Sequence, residues 1–148
     1  MSLFGRSQQK GSNAPIGPPV DPVWARDSRG RFHRFLPLDP EEAGLNGKGG
    51  VFVIWHAGVQ PAWVYVGQSD DLAGTLHMVG NDKDILSFEV NGGLFVTWSF
   101  VLKEFRSGVV RYLEETLHPL VPTRDEWPQE THPIAVFSPG GEPKNPSA

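Results

Sequence analysis

The middle of the chain constrains the fold most. Residues 50–56 (GVFVIWH) and 62–66 (AWVYV) are two short runs of β-branched and aromatic side chains, separated by a loop at 57–61 that carries Gly58 and Pro61. Runs of this kind bounded by Gly and Pro predict strands, and a five-residue gap predicts that they pair as a hairpin. Gly67-Gln68-Ser69-Asp70-Asp71 follows at once and predicts a turn into a helix. The Ser69 hydroxyl is placed to cap that helix, and Asp70 and Asp71 lie where its N-terminal dipole favours negative charge.

The helix is predicted over 70–79, with Leu72, Leu76 and Val79 on one face and Gly80-Asn81-Asp82 ending it. Gly74 weakens it by roughly 1 kcal/mol relative to alanine. Residues 85–90 and 94–102 read as strands on either side of Asn91-Gly92-Gly93, a hairpin turn signal. Residues 104–118 (EFRSGVVRYLEETLH) form the clearest helix, with Val109, Leu113, Thr116 and Leu117 on one face and Pro119 as its stop. Together these elements predict a small α/β (α+β) domain at 48–122. Its central sheet has three or four mostly antiparallel strands, flanked by helices.

The two ends differ from this centre. Residues 1–22 are Gly, Ser, Asn, Gln and Pro with few apolar side chains, and predict a disordered tail. Its Pro15-Ile16-Gly17-Pro18 fits a PxxP docking pattern, which a Pro-rich linker also produces by chance. Residues 23–47 form an extension in which Arg26, Arg29, Arg31, His33 and Arg34 alternate with Trp24, Phe32 and Phe35. Such interleaving could grip a single nucleic-acid strand. The preferred reading is a strand whose aromatics cover an edge of the domain while its arginines face water. Residues 123–148 are a turn-rich tail with one apolar run, 134–137, which either adds an edge strand or packs on the core.

Composition excludes several chemistries. With no cysteine among 148 residues there is no disulfide, thiolate zinc site or cysteine nucleophile. The five histidines show no zinc-helix spacing, and neither a phosphate-binding glycine loop nor a Gly-x-Ser-x-Gly elbow occurs. The start, MSLFGRSQQKGS, lacks the apolar stretch of a secretory signal, and no run approaches a membrane span, so a cytoplasmic protein without membrane contact is expected. The net charge of −4 is unevenly spread: residues 50–122 hold four Lys and Arg against eight Asp and Glu. Phosphate backbones are bound mainly through Lys and Arg, so this acidic centre disfavours nucleic acid as a partner.

Gly50-Val51-Phe52 and Tyr65-Val66-Gly67, on successive strands and followed by a helix and a later Glu-bearing helix, resemble the opening of the GIY-YIG nuclease family. The resemblance runs to about Pro122. It implies a metal-dependent site in which Tyr65 adjoins the attacking water and Glu114 holds Mg²⁺, with Glu115 as its neighbouring alternative. It also implies what is missing. The first motif tyrosine is Phe52, and the basic residue found in some members falls on Gln68. The catalytic arginine falls on Thr75, with His77 nearby as a weaker candidate, and the asparagine that commonly closes the motif after a proline is absent. No Arg or Lys occurs from Gly49 to Asp82. A lost oxyanion-type donor costs roughly 10²–10³ in rate, and a lost arginine finger about 10³–10⁵.

The expectation is therefore a degenerate GIY-YIG-like domain without catalysis or cofactor, serving as a protein-binding or assembly module. Trp55, Trp63 and Trp98 are its candidate partner surface, or else core filling. The alternative is a Mg²⁺-dependent endonuclease with Tyr65 and Glu114 as its site. Its arginine would come from the N-terminal arm, where Arg26, Arg29, Arg31 and Arg34 are also the candidate nucleic-acid contacts.

Overall fold

The computed structural model describes residues 22–142. The PxxP pattern at 15–18 lies outside them. Strands β1 (His33–Arg34), β2 (Gly50–His56), β3 (Ala62–Ser69) and β4 (Leu94–Ser99) form one antiparallel sheet in the order β1-β4-β2-β3. Helices α1 (Leu72–Val79) and α2 (Lys83–Leu86), followed by a 3₁₀ turn (Ser87–Val90), carry the chain from β3 across β2 to β4. Helix α3 (Lys103–Leu117) follows β4. The class is α+β, as the patterning predicts.

The period-2 alternation of β2 divides the interior in two. Phe52 and Ile54 face the layer of α1 and α2, where they pack with Leu45, Leu72, Leu76 and Ile85. Val51 and Val53 face α3, where they meet Val66, Val109, Val110 and Leu113. The 134–137 run packs on the core rather than pairing as a strand. Ile134 and Val136 are buried against α3, and the Ile134 N–H donates to the Gly108 carbonyl. Trp24 joins the same cluster, and its indole N–H donates to the Phe137 carbonyl at 2.8 Å.

Three sequence expectations are corrected. Residues 85–90 are helical, not a strand. The Asp82 carboxylate accepts the backbone N–H groups of Asp84 and Ile85 and starts α2, and both sides of β4 are taken by β2 and β1. Asn91-Gly92-Gly93 is therefore no hairpin turn. Gly92 and Gly93, at φ +95° and +94°, reverse the chain out of the 3₁₀ turn into β4. Ser69 does not cap α1, whose N-cap is Asp71 with no side-chain cap bond. The Ser69 hydroxyl accepts the Asp71 N–H and lies 2.6 Å from the Thr75 hydroxyl.

In the N-terminal extension only His33–Arg34 is a strand, paired with Phe95 and Val96 at the sheet edge. Trp24 and Phe35 are buried, whereas Arg26, Arg29, Arg31 and Arg34 are exposed. Among the described residues no helix is long and apolar enough to cross a membrane.

Candidate functional site

A register shift in the hairpin decides where Tyr65 points. Ile54 pairs with Tyr65, but the next residue, Trp55, pairs with Trp63, so Val64 is the extra residue of a β-bulge. Strict alternation would send Tyr65 to the same face as Trp63. The bulge turns it to the other face, beneath α1, where its ring centroid lies 5.9 Å from that of Phe52. Phe52 is itself 1 % exposed, and its para carbon lies over Gly67, where a Cβ would stand only 2.7 Å away. The ring thus fills the space in which a hydroxyl at that position would need a partner.

The other sequence-predicted residues are distributed over both faces. Thr75 lies under the β3–α1 turn, bonded to Ser69. His77 is exposed and meets Glu41 at 2.8 Å. Gln68 reaches the opposite face, where its amide donates to the Ser107 hydroxyl of α3 at 3.0 Å. Glu114 stands on α3, and Glu115 is exposed and paired with Arg111. Trp98 is 5 % exposed and stacks on His33, so it is core and not surface; Trp55 and Trp63 are half-buried.

What brings Tyr65, Gln68 and Glu114 together is a strap at the junction of the domain predicted at 48–122 and the tail that follows it. Residues 120–125 run along the open edge of β3. The Leu120 and Val121 N–H groups donate to the Trp63 and Val64 carbonyls. Thr123 N–H then donates to Glu114 Oε2 at 3.0 Å, and Arg124 N–H to the Tyr65 hydroxyl at 3.0 Å. The Asp125 carboxylate accepts the Gln68 N–H at 2.7 Å. The guanidinium of Arg124 lies 5.8 Å from the Tyr65 ring centroid and pairs with Asp82 and Asp84 at 3.1 and 3.0 Å. The N-terminal arginines lie elsewhere, Arg26 over Phe32 and Arg34 over Phe95.

The strap encloses two carboxyls. Burial pushes Glu114 up, the nearby Asp125 adds to this, and the Thr123 amide and His118 oppose it. Burial likewise pushes Asp125 up against the pull of the Gln68 amide and the Thr123 hydroxyl. Glu114 Oε1 is buried with no hydrogen-bond partner among the described residues.

For both acids the folded value exceeds the unfolded one, so ionisation weakens the folded state. The contribution of this pair to stability is recovered as pH falls through the raised values toward the ordinary 4.5 and 3.8. Urea midpoints at neutral pH and at about pH 5 should therefore show a gain on acidification that is smaller in Glu114→Gln. An equal response in both proteins would contradict it.

Among the described residues no three His, Asp or Glu side chains are grouped to hold a metal ion. Comparison with protein families, with curated proteins and with solved structures finds no match.

Proposed function

We propose that this chain is a degenerate GIY-YIG-like domain that has lost catalysis and works as a protein-binding or assembly module. One observation carries the proposal: the Tyr65 hydroxyl and one oxygen each of Glu114 and Asp125 already accept N–H groups of the chain's own backbone. The Tyr65 hydroxyl takes the Arg124 N–H, Glu114 takes the Thr123 N–H, and Asp125 takes the Gln68 N–H. Support for the kinship is the hairpin itself, whose register sets Phe52 opposite Gly67.

The residues present do not fit Mg²⁺. That ion demands octahedral oxygen at close range, and here Glu114 and Asp125 each commit an oxygen to an amide, with no third His, Asp or Glu grouped beside them among the described residues.

The endonuclease reading has one observation in its favour, a guanidinium near Tyr65. It comes from Arg124 in the strap rather than from the N-terminal arm, and Asp82 and Asp84 already neutralise it. The test is plasmid nicking in Mg²⁺ or Mn²⁺ by the full chain beside Glu114→Ala. The expected result is no metal-dependent nicking by either protein. Nicking by the full chain that vanishes in the variant would restore the enzyme.

A further inference from the structure

The sheet carries a second cluster, on its α3 side, running from β3 across β2 to β4. Phe95 of β4, Trp55 of β2 and Trp63 of β3 are cross-strand neighbours with ring centroids 6.1 and 5.7 Å apart, all half-buried. Phe32 closes one side, edge-on to Trp55 at 4.9 Å. Beside them the N-terminal loop opens a groove of about 640 Å³, within the range of ligand-binding clefts. Arg26, Arg31 and Arg34 border it.

Two of these guanidiniums are held over rings, and all three leave donors open. Arg26 lies 3.9 Å over the Phe32 ring and Arg34 5.3 Å from the Phe95 centroid, which orients their planes. Arg26 donates once, to the Gly30 carbonyl, and otherwise meets Glu142 only at 3.9 Å. Arg34 meets Glu89 at 3.6 Å, beyond a hydrogen bond. Among the described residues the Arg31 side chain has no hydrogen bond or ion pair. Two of the local acids spend an oxygen on backbone: Asp27 accepts the Arg29 and Arg31 N–H groups, and Glu89 accepts that of Leu94.

We infer that this groove is a recognition site for an acidic peptide segment of a partner protein, its carboxylates on Arg26, Arg31 and Arg34 and an apolar side chain on the Phe95–Trp55–Trp63 stripe. The inference deepens the binding-module reading and rests on it. Guanidiniums match carboxylates bidentately, and those of Arg26 and Arg34 are oriented by the rings beneath them; the aromatic stripe running away from them supplies the anchor that dominates such interfaces. A single nucleic-acid strand fits less well. It needs open ring faces for its bases, and those of Phe32 and Phe95 are under guanidiniums. Addition of a partner strand at the β4 edge is blocked, since Ala25 and Phe35 already donate to the Trp98 and Leu94 carbonyls.

The test is an NMR titration of the full chain with acetyl-Glu-Glu-Leu-Phe-amide, with its Lys-Lys counterpart and with oligothymidylate. The acidic peptide should shift the Trp55 and Trp63 indole resonances saturably, and the lysine peptide should not. The double variant Arg31→Ala, Arg34→Ala should weaken binding roughly tenfold or more. Both residues are exposed, so its remaining spectrum reports an intact fold. No shift at millimolar peptide, equal shifts from both peptides, or undiminished binding by the variant would overturn the inference. Tighter binding of oligothymidylate at the same resonances would replace the peptide with nucleic acid. Nicking is read separately, so a protein that cuts DNA and a protein that ignores the peptide are distinct failures.

Discussion

A chain ending after Glu130 is expected to lose about 5 kcal/mol of stability, a third or more of a small domain's roughly 5–15 kcal/mol. The removed residues include Ile134 and Val136, 9 % and 8 % exposed, which close the α3 layer over Val109, Val110 and Leu113. Burying one such aliphatic side chain is worth about 1.5–3 kcal/mol. Trp24 would lose the Phe137 carbonyl that its indole N–H now uses, and an unsatisfied buried donor costs about 1–3 kcal/mol.

The site on α3 is built for this contact. Gly108 costs the helix about 1 kcal/mol relative to alanine, but a Cβ there would stand 2.5 Å from Ile134 Cδ1 and 2.7 Å from the His132 carbonyl. Urea denaturation followed by tryptophan fluorescence measures the loss. A truncated chain within about 1 kcal/mol of full length would show that the tail rests on the domain without holding it.

That tail also marks where sequence reading stops. The hairpin was legible because β-branched and aromatic runs flank Gly58 and Pro61, and α3 because Val109 and Leu113 recur at helical spacing before a proline. Local pattern misled at 85–90. There apolar residues at Ile85, Leu86, Phe88 and Val90 fit either period, and Asp82 decided for the helix through two amides close in sequence. An Asp shortly before such a run is a cap signal that was available.

The candidate site was only half legible. Tyr65, Gln68 and Glu114 stand on named elements, but nothing near them announces that residues 123–125 will bond all three. Those contacts span 9 to 59 residues and join backbone amides to side chains, a pairing without periodicity. The bulge at Val64 was equally hidden, although it determines which face receives Tyr65. The arginines of the N-terminal arm were visible as a pattern. That their planes would stack on Phe32 and Phe95, away from Tyr65, follows only from how the edge of the sheet is covered.

Replacing Gly50 by alanine is expected to cost about 3 kcal/mol and to lower Tm by roughly 10 °C. A Cβ at Gly50 would fall on the Ser99 carbonyl oxygen, with the Ser99 carbonyl carbon at 3.0 Å and Phe100 Cα at 3.2 Å. All three atoms are backbone of the adjoining β4 segment, so no rotamer relieves the overlap. The ends of β2 and β4 must part where Val51 pairs with Ser99.

Gly74→Ala is the internal contrast. Its Cβ meets only the exposed Asp71 carboxylate, at 2.9 Å, and the gain in helix propensity is up to about 1 kcal/mol. Thermal unfolding should move the two variants in opposite directions, and a Gly50→Ala protein as stable as the parent would refute the steric account. Gly67 is under the same kind of constraint, with the Phe52 and Tyr65 rings 2.7 and 3.1 Å from the position of its missing Cβ. Both glycines that frame the hairpin motif are thus demanded by packing alone. Their presence in a sequence is accounted for whether or not the domain ever cuts a phosphodiester, and the burden of showing catalysis falls on Tyr65, Glu114 and the strap that holds them.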